Sequence, residues 1–398
     1  MSSLRVVSLC ALLLAASMGA TAEQRQLRTV LILERSISMR EDMAATREAV
    51  AALATSLAQG KASLGLVFFG SSAIVAFPPR DPRLPEGGSG PAPGFLAARP
   101  SPPELIRAVE ASSNAGLAEA LWLGYRELAK KPIPGAVNAI VLFTRGHPNG
   151  ITAEFNDPDP SRNLLLAEST CLHKPGGTVL AMRGVLAQVC GFRPEGQRCI
   201  TGIRQPLNTA VNASHPDVIS WLRDPAFEPV IPLPASKGCA YLADPNRVAA
   251  DIREIPGTDL YGNSTTGVGY LESALYKKEH IPLDLKAVGS PYQIGLASWN
   301  AADDAARRIR QDTQLDILIY VVALGAASEP PDEVLLRRIA NVGSDDNTAY
   351  APDRPSGLCV RAFSAADLFL CIGRIGQDIV AKVQTQAVPK PPGIRRPR

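Results

Sequence analysis

Apolar, β-rich runs alternate with helix-patterned segments from Arg28 onward, and this alternation confines the chain to few architectures. RTVLILE is followed by a helical pattern from about Arg40 to Leu57, then by ASLGLVFFG and SSAIVAFPP. After a Pro/Gly-rich loop, DPRLPEGGSGPAPG, come helical segments near Pro103 to Ala111 and Ala115 to Ala129, then NAIVLFTRG. Strands without polar alternation are covered on both faces, and intervening helices supply the cover. The predicted class is α/β, a doubly wound and mostly parallel sheet with helices on both faces.

The pattern breaks between roughly Asn149 and Ser298, where Pro, Gly, Asn and Asp are frequent and no long periodic segment survives. The sequence predicts an insertion, loop-rich and with short elements. It is too long for a plain connection, so a small core of its own and disulfide stapling are expected to hold it. The alternation resumes with NAADDAARRIRQD, where Asn300 suits an N-cap and Asp303 and Asp304 suit a first helical turn. DILIYVVALG then reads as a strand and PDEVLLRRIANVG as a short helix closed by Gly343. GLCVRAF reads as a last strand, and SAADLFLCIGRIGQDIVAKVQ as a final helix capped by Ser364. The expected division is an export signal at 1–22, a first part of the α/β domain at 26–148 and the insertion at 149–298. The second part of the domain follows at 299–385, then a basic, Pro-rich, disordered tail at 386–398.

The first residues, MSSLRVVSLCALLLAASMGATAEQ, carry one cation, an apolar stretch and a small-x-small site at Ala20-Thr21-Ala22. This is the secretory pattern, and the apolar stretch is short for a membrane span. The reading is an exported chain, periplasmic or at the cell surface, with an uncleaved anchor as the alternative. Cleavage would remove Cys10 and leave Cys171, Cys190, Cys199, Cys239, Cys359 and Cys371. An even count in an exported chain favours disulfides, with fifteen connectivities open, and the spacing contains no C-x-x-C pair to favour a metal. Lys and Arg number 41 against 38 Asp and Glu, a net charge of +3. That balance, with no basic stripe interleaved with aromatics, argues against nucleic acid as partner.

Ligands of open α/β sheets sit at the carboxyl ends of the strands. Three stretches fall there: Glu34-Arg35-Ser36-Ile37-Ser38, Ser112-Ser113-Asn114-Ala115-Gly116 and Thr144-Arg145-Gly146-His147-Pro148-Asn149. Two hydroxyls two residues apart, with a third from a neighbouring loop, are oxygen ligands suited to a small hard cation.

On these residues the chain resembles the von Willebrand factor A domain. LILERSISM is similar to that family's metal-site loop, Asp-x-Ser-x-Ser. SSNAG resembles its Thr-bearing loop, and IVLFTRGHPNG its strand and Asp-Gly loop. The resemblance implies that Ser36 and Ser38 occupy the two ligand-serine positions and Ser113 the ligand-threonine position. Glu34 falls at the first aspartate and Arg145 at the last. IPGTDLYGNSTTG, SWNAADDAARRIRQD, IYVVALG with LLRRIANV, and AYAPDRPSGLCVRAFSAADL resemble the exported subgroup associated with bacterial TadE/TadG-type pilus assembly.

The two departures differ in weight. Glu34 keeps the charge on a side chain one methylene longer. A guanidinium about 5 Å from a divalent cation repels it by roughly 6 to 7 kcal/mol at an effective dielectric near 20. That equals or exceeds the approximately 4 to 8 kcal/mol of a millimolar to micromolar site. The expectation is that Arg145 takes the cation's place and pairs with Glu34, with Ser36, Ser38 and Ser113 around it. The alternative is a working Mg²⁺ or Mn²⁺ site.

Other candidates are weaker. Cys171-Leu172-His173 reads as a disulfide half-cystine beside a surface histidine, and His147 as a surface residue, because the chain has four histidines and no H-E-x-x-H. GNSTTGVG lacks the Lys-Ser/Thr of a phosphate loop and reads as a turn. No nucleophile elbow G-x-S-x-G is present. The function expected is that of a non-enzymatic, exported adhesion or interaction protein, in cell-surface or pilus assembly as the resemblance implies. Its partner would be a protein at the cell surface or in the envelope. Two rivals stand beside it: an exported metal-dependent hydrolase using acids and histidines of the insertion, and a degenerate A domain kept as a spacer.

Overall fold

The computed structural model describes residues 25–60, 62–70, 73–80, 101–111, 115–156, 172–173, 179–193, 196–204, 256–266, 293–325, 330–344, 347 and 349–385. The export signal, Ser113, Cys171, Cys239, the Pro/Gly-rich loop and the basic tail lie outside them.

Strand β1 (Leu27–Glu34) pairs in parallel with β2 (Ser63–Phe69) on one side and β4 (Val137–Thr144) on the other. β4 pairs in parallel with β9 (Leu318–Leu324), and β9 with β10 (Cys359–Ala362). β3 (Ala73–Arg80) closes the far edge antiparallel to β2. The six-stranded order β10-β9-β4-β1-β2-β3 reverses direction at β1. This is the doubly wound arrangement that the alternating pattern predicts.

Side-chain parity divides the core in two. Leu31, Leu33, Val141 and Phe143 face α1 (Met43–Gln59), α2 (Pro102–Arg107) and α6 (Ala365–Thr385). Val30, Ile32, Ile140 and Leu142 face α3 (Leu117–Ala129), α4 (Gln293–Gln311) and α5 (Glu333–Ala340). Burial on both faces is why these strands lack polar alternation, and each such Leu, Val or Ile contributes about 1.5–3 kcal/mol. Gly124 lets α3 approach β1, since a Cβ there would stand 2.9 Å from Ile32 Cδ1.

Several boundaries differ from expectation. α4 begins at Gln293, so Asn300 lies inside the helix rather than at its cap. The buried stripe Leu296, Trp299, Ala302, Ala306 and Ile309 already starts before Asn300, and tertiary burial extends the helix over it. Asp303 and Asp304 are correspondingly mid-helix and bind Arg338 and Arg307. α5 ends at Asn341, not Gly343. Asn341 takes the left-handed conformation at φ 55°, and its side chain ties Ala351 and Arg354 to the helix end.

The insertion is less loop-rich at its start than the sequence predicts. β5 (Gly150–Asn156), β6 (Leu172–His173), β7 (Val179–Arg193) and β8 (Gly196–Arg204) form a second, wholly antiparallel sheet around the 15-residue β7. Gly184 and Gly191 interrupt any period in VLAMRGVLAQVCGFR, so the strand depends on its neighbours rather than on local propensity.

The stretch 256–266 docks on α3 and α4. Asp259 accepts from the backbone N–H groups of Tyr261 and Asn263 and from the Asn263 amide. Arg308 donates to Tyr261 O and Asn263 Oδ1 and lies over the Trp122 ring, 4.1 Å from its centroid. Tyr261 donates to the buried Glu119, whose other oxygen accepts from the Ala73 N–H at the start of β3. The turn here spans Asp259–Gly262, with the Gly262 N–H on Asp259 O and Gly262 at φ +78°; of GNSTTGVG, read as a turn, Gly267–Gly269 lie outside the described residues.

Candidate functional site

The first and third predicted loops come together at the carboxyl ends of β1 and β4; of the second, Ala115 and Gly116 are described, and Ser113 lies outside the described residues. Leu33 and Phe143 are register partners, so Glu34 and Thr144 follow as neighbours on adjacent strands with the same parity as Ile32 and Leu142. Strands so paired stand about 4.8 Å apart, within reach of a carboxylate and a hydroxyl. Thr144 Oγ1 donates to Glu34 Oε2, and the Arg145 backbone N–H donates to the same oxygen at 2.9 Å. Glu34 Oε1 accepts from Ser36 Oγ, with Ser38 Oγ at 3.5 Å, and the two serine hydroxyls are 2.6 Å apart. Glu34 is 1% exposed. Its buried charge is therefore held by three side-chain hydroxyls and a backbone amide, the dense donation that a buried carboxylate requires.

The Arg145 guanidinium does not reach Glu34. Its Nη2 and Nε donate to Asp42 Oδ2 at 2.8 and 3.3 Å. The reason is parity: Arg145 follows Thr144 and so falls on the side of the sheet covered by α1, while Glu34 belongs to the other side. Asp42 stands at the N-terminus of α1, where its side chain makes no capping bond and serves Arg145 instead. Arg35 likewise falls on the α1–α2 side. Burial depresses its pKa to about 10, with the Glu110 charge opposing the shift.

Asn149 joins the second and third loops. Its Oδ1 accepts from the Ala115 N–H at 2.7 Å, and its own N–H donates to Ala115 O. The third loop turns at Gly146, which has φ +74° and donates its N–H to Thr144 Oγ1. A Cβ there would stand 2.8 Å from the Leu336 side chain. His147 is on the surface, with Nε2 2.9 Å from Pro330 O. Ser36, Ser38, Glu34 and Arg145 are thus brought together. Thr144 and Asp42 are the members that the motif comparison missed. Thr144 was legible from the parity of TVLILE and NAIVLFT, whereas Asp42 carries no local signal.

Among the described residues no three His, Cys, Asp or Glu side chains cluster as a metal site. Cys359 and Cys371 are thiols rather than half-cystines. Cys359 packs on the α5 face of the sheet and Cys371 on the α6 face, so β10 itself separates them. Burial pushes the Cys359 thiol up to about 12, and Cys371 Sγ donates to Arg361 O.

No family model matches the chain, and no curated protein matches it. Solved structures similar to it include the PilB minor pilin from Streptococcus sanguinis, at 15% identity and TM-score 0.43 over 93% of this chain and 65% of that one. The pilus adhesin SpaC from Lactobacillus rhamnosus GG matches at 13% identity and TM-score 0.41, over 91% of this chain and 31% of SpaC. The vWF domain of the type V pili tip protein Mfa5 from Porphyromonas gingivalis matches at 12% identity and TM-score 0.42, over 92% and 99%. The chain thus spans less than two thirds of PilB and under a third of SpaC. At these values no residue role transfers from them to this chain. Among the described residues no helix is long and apolar enough to cross a membrane.

Proposed function

We propose that the chain is a non-enzymatic, exported protein-interaction module whose strand-end site is closed to divalent cations. The carrying observation is the division of charge at that site. Glu34 is saturated by neutral donors, while the buried Arg145 guanidinium sits beside the loops and is neutralised by Asp42. Mg²⁺ and Mn²⁺ require several oxygen donors with net negative charge. Here Ser36 and Ser38 already serve Glu34 and each other, and a fixed cation opposes a second one. The donor set does not fit such an ion, and Arg145 excludes it from Asp42 rather than from Glu34.

Recognition is assigned to the insertion, whose antiparallel sheet is carried on the α/β frame. The resemblance at the three loops and at IPGTDLYGNSTTG supports a role in cell-surface or pilus assembly. Two measurements test the reading. Calorimetric titration with Mg²⁺ or Mn²⁺ is expected to give no saturable heat; a saturable signal abolished by Ser38→Ala overturns the closed site. Capture of envelope proteins by the full chain and by a folded chain lacking 157–255 is expected to differ. Equal recovery overturns the insertion as the binding face.

A further inference from the structure

From the strand register we infer that Cys190 and Cys199 form a cross-strand disulfide that staples the β7–β8 hairpin. Cys190 and Cys199 are direct partners in the antiparallel ladder. The ladder closes at Arg193 and Gly196 over two residues, Pro194 and Glu195. A pair flanking a two-residue connection is the hydrogen-bonded closing pair of the turn. Hydrogen-bonded and non-hydrogen-bonded pairs then alternate inward. Cys190 and Cys199 lie three steps from the closing pair and fall on a non-hydrogen-bonded one.

Such pairs bring Cα atoms to about 4.5 Å on one face of the ribbon. Disulfides span Cα separations of about 4.4 to 6.8 Å. The separation typical of such a pair falls inside that range, at its short end. None of the other register partners of β7 with β5, β6 or β8 is a cysteine pair. The fifteen full pairings of six cysteines need Cys359 and Cys371 as half-cystines, whereas both are thiols; the bond the register selects is Cys190–Cys199. The placement of Cys359 and Cys371 on opposite faces of the sheet removes their mutual bond.

The oxidant is a disulfide, either a protein thiol-disulfide exchange catalyst or glutathione disulfide. One cysteine thiolate attacks it and releases a thiol; the second then attacks the mixed disulfide and releases the other. Two protons and two electrons pass to the oxidant, and the Cys190–Cys199 bond forms. The bond fixes the register near the hairpin's closed end, where a one-residue slip would turn every side chain to the other face. This deepens the proposed interaction role, because a register-locked ribbon presents one defined face.

The test is non-reducing peptide mapping of the full chain after folding in a glutathione redox buffer. Free thiols are alkylated before digestion. The expected result is a linked species joining the Cys190 and Cys199 peptides, lost on reduction. Both peptides recovered alkylated, or either linked to Cys171 or Cys239, overturns the proposal. In Cys190→Ser, Cys199 is expected to lose its link within the chain and to be recovered alkylated or as its glutathione mixed disulfide. A link from Cys199 to another cysteine, seen in both the wild type and this variant, overturns the proposal equally. Neither outcome bears on cation binding at Glu34, so the disulfide and the closed site fail separately.

Discussion

Arg145 and Asp42 form an ion pair across the sheet's carboxyl edge, 2.8 Å from Nη2 to Oδ2, while the Arg145 backbone N–H binds Glu34. One residue thus joins the end of β4 to the start of α1 through its side chain and to β1 through its amide. The Arg145 side chain is 4% exposed and that of Asp42 35% exposed. Removing Asp42 would leave a buried guanidinium without this partner. Asp42→Ala is expected to lower unfolding free energy by about 2–3 kcal/mol, below the 3–5 of a fully buried pair. The double change Arg145→Met with Asp42→Leu is expected to recover most of the loss. Urea unfolding checks both, and an Asp42→Ala variant as stable as wild type would show that the pair holds nothing.

Gly146→Ala is expected to cost about 1–3 kcal/mol, as forced left-handed backbone does. The added Cβ would also press on Leu336. Because Gly146 N–H binds Thr144, the loop's shift should loosen the hydroxyl that holds Glu34. Thermal unfolding of the variant measures the first effect, and hydrogen exchange at Arg145 N–H the second. Unchanged protection there would contradict the coupling.

The doubly wound class and the helix cover were legible in the sequence because they follow from long apolar runs alternating with helical patterns; the order of the strands was not, because it depends on which distant segments pair. The side on which Arg145 acts was also encoded, in the parity of NAIVLFT. A comparison of motif positions ignores parity and so assigned Arg145 to Glu34. Asp42 was not legible, because its role depends on where a helix begins after a 3₁₀ turn (Ile37–Met39). The long β7 was hidden for a different reason. Its glycines and alanines carry little local preference, and its pairing is supplied by segments distant in the chain.

Burial raises the pKa of Asp259 above its ordinary 3.8, although the amides of Tyr261 and Asn263 and the Arg308 charge oppose the shift. The folded state therefore binds this proton more tightly than the unfolded one. The contribution is fully present below the unfolded value and is lost as pH rises through the folded value. Asp259→Asn does not titrate. Its stability relative to wild type is expected to rise between about pH 4 and pH 7. Denaturant curves at the two values, compared as a difference between the proteins, isolate the group. A difference independent of pH would exclude it.

Cys359 is expected to resist alkylation in the folded protein. With its thiol moved from 9.0 to about 12, it carries about a thousandfold less thiolate than an ordinary cysteine at mildly alkaline pH. Cys371, also raised by burial and donating to Arg361 O, is expected to be slow as well. Iodoacetamide labelling followed by mass spectrometry should find both protected until denaturant is added. Rapid native labelling of either would contradict the packing of β10 against α5 and α6.

If Arg145 is what closes the strand-end site, changing its charge should reopen it. Arg145→Asp places a carboxylate at the position where the resembled family has one, and removes the guanidinium that neutralises Asp42. Without metal the introduced carboxylate, Asp42 and Glu34 repel, so the variant is expected to unfold at lower temperature than wild type. Mg²⁺ binds only the folded state, and at about a hundred times its Kd it would return about 2.7 kcal/mol. The expected pattern is a Tm that rises with Mg²⁺ in Arg145→Asp and stays fixed in wild type. Adding Ser38→Ala should remove the rise, because it deletes a ligand hydroxyl without restoring the cation. Equal stabilisation of wild type would mean that Arg145 does not exclude the ion. No stabilisation of a folded Arg145→Asp would mean that the loops have lost the donor set itself, leaving Glu34 and its hydroxyls as a purely structural brace between β1 and β4.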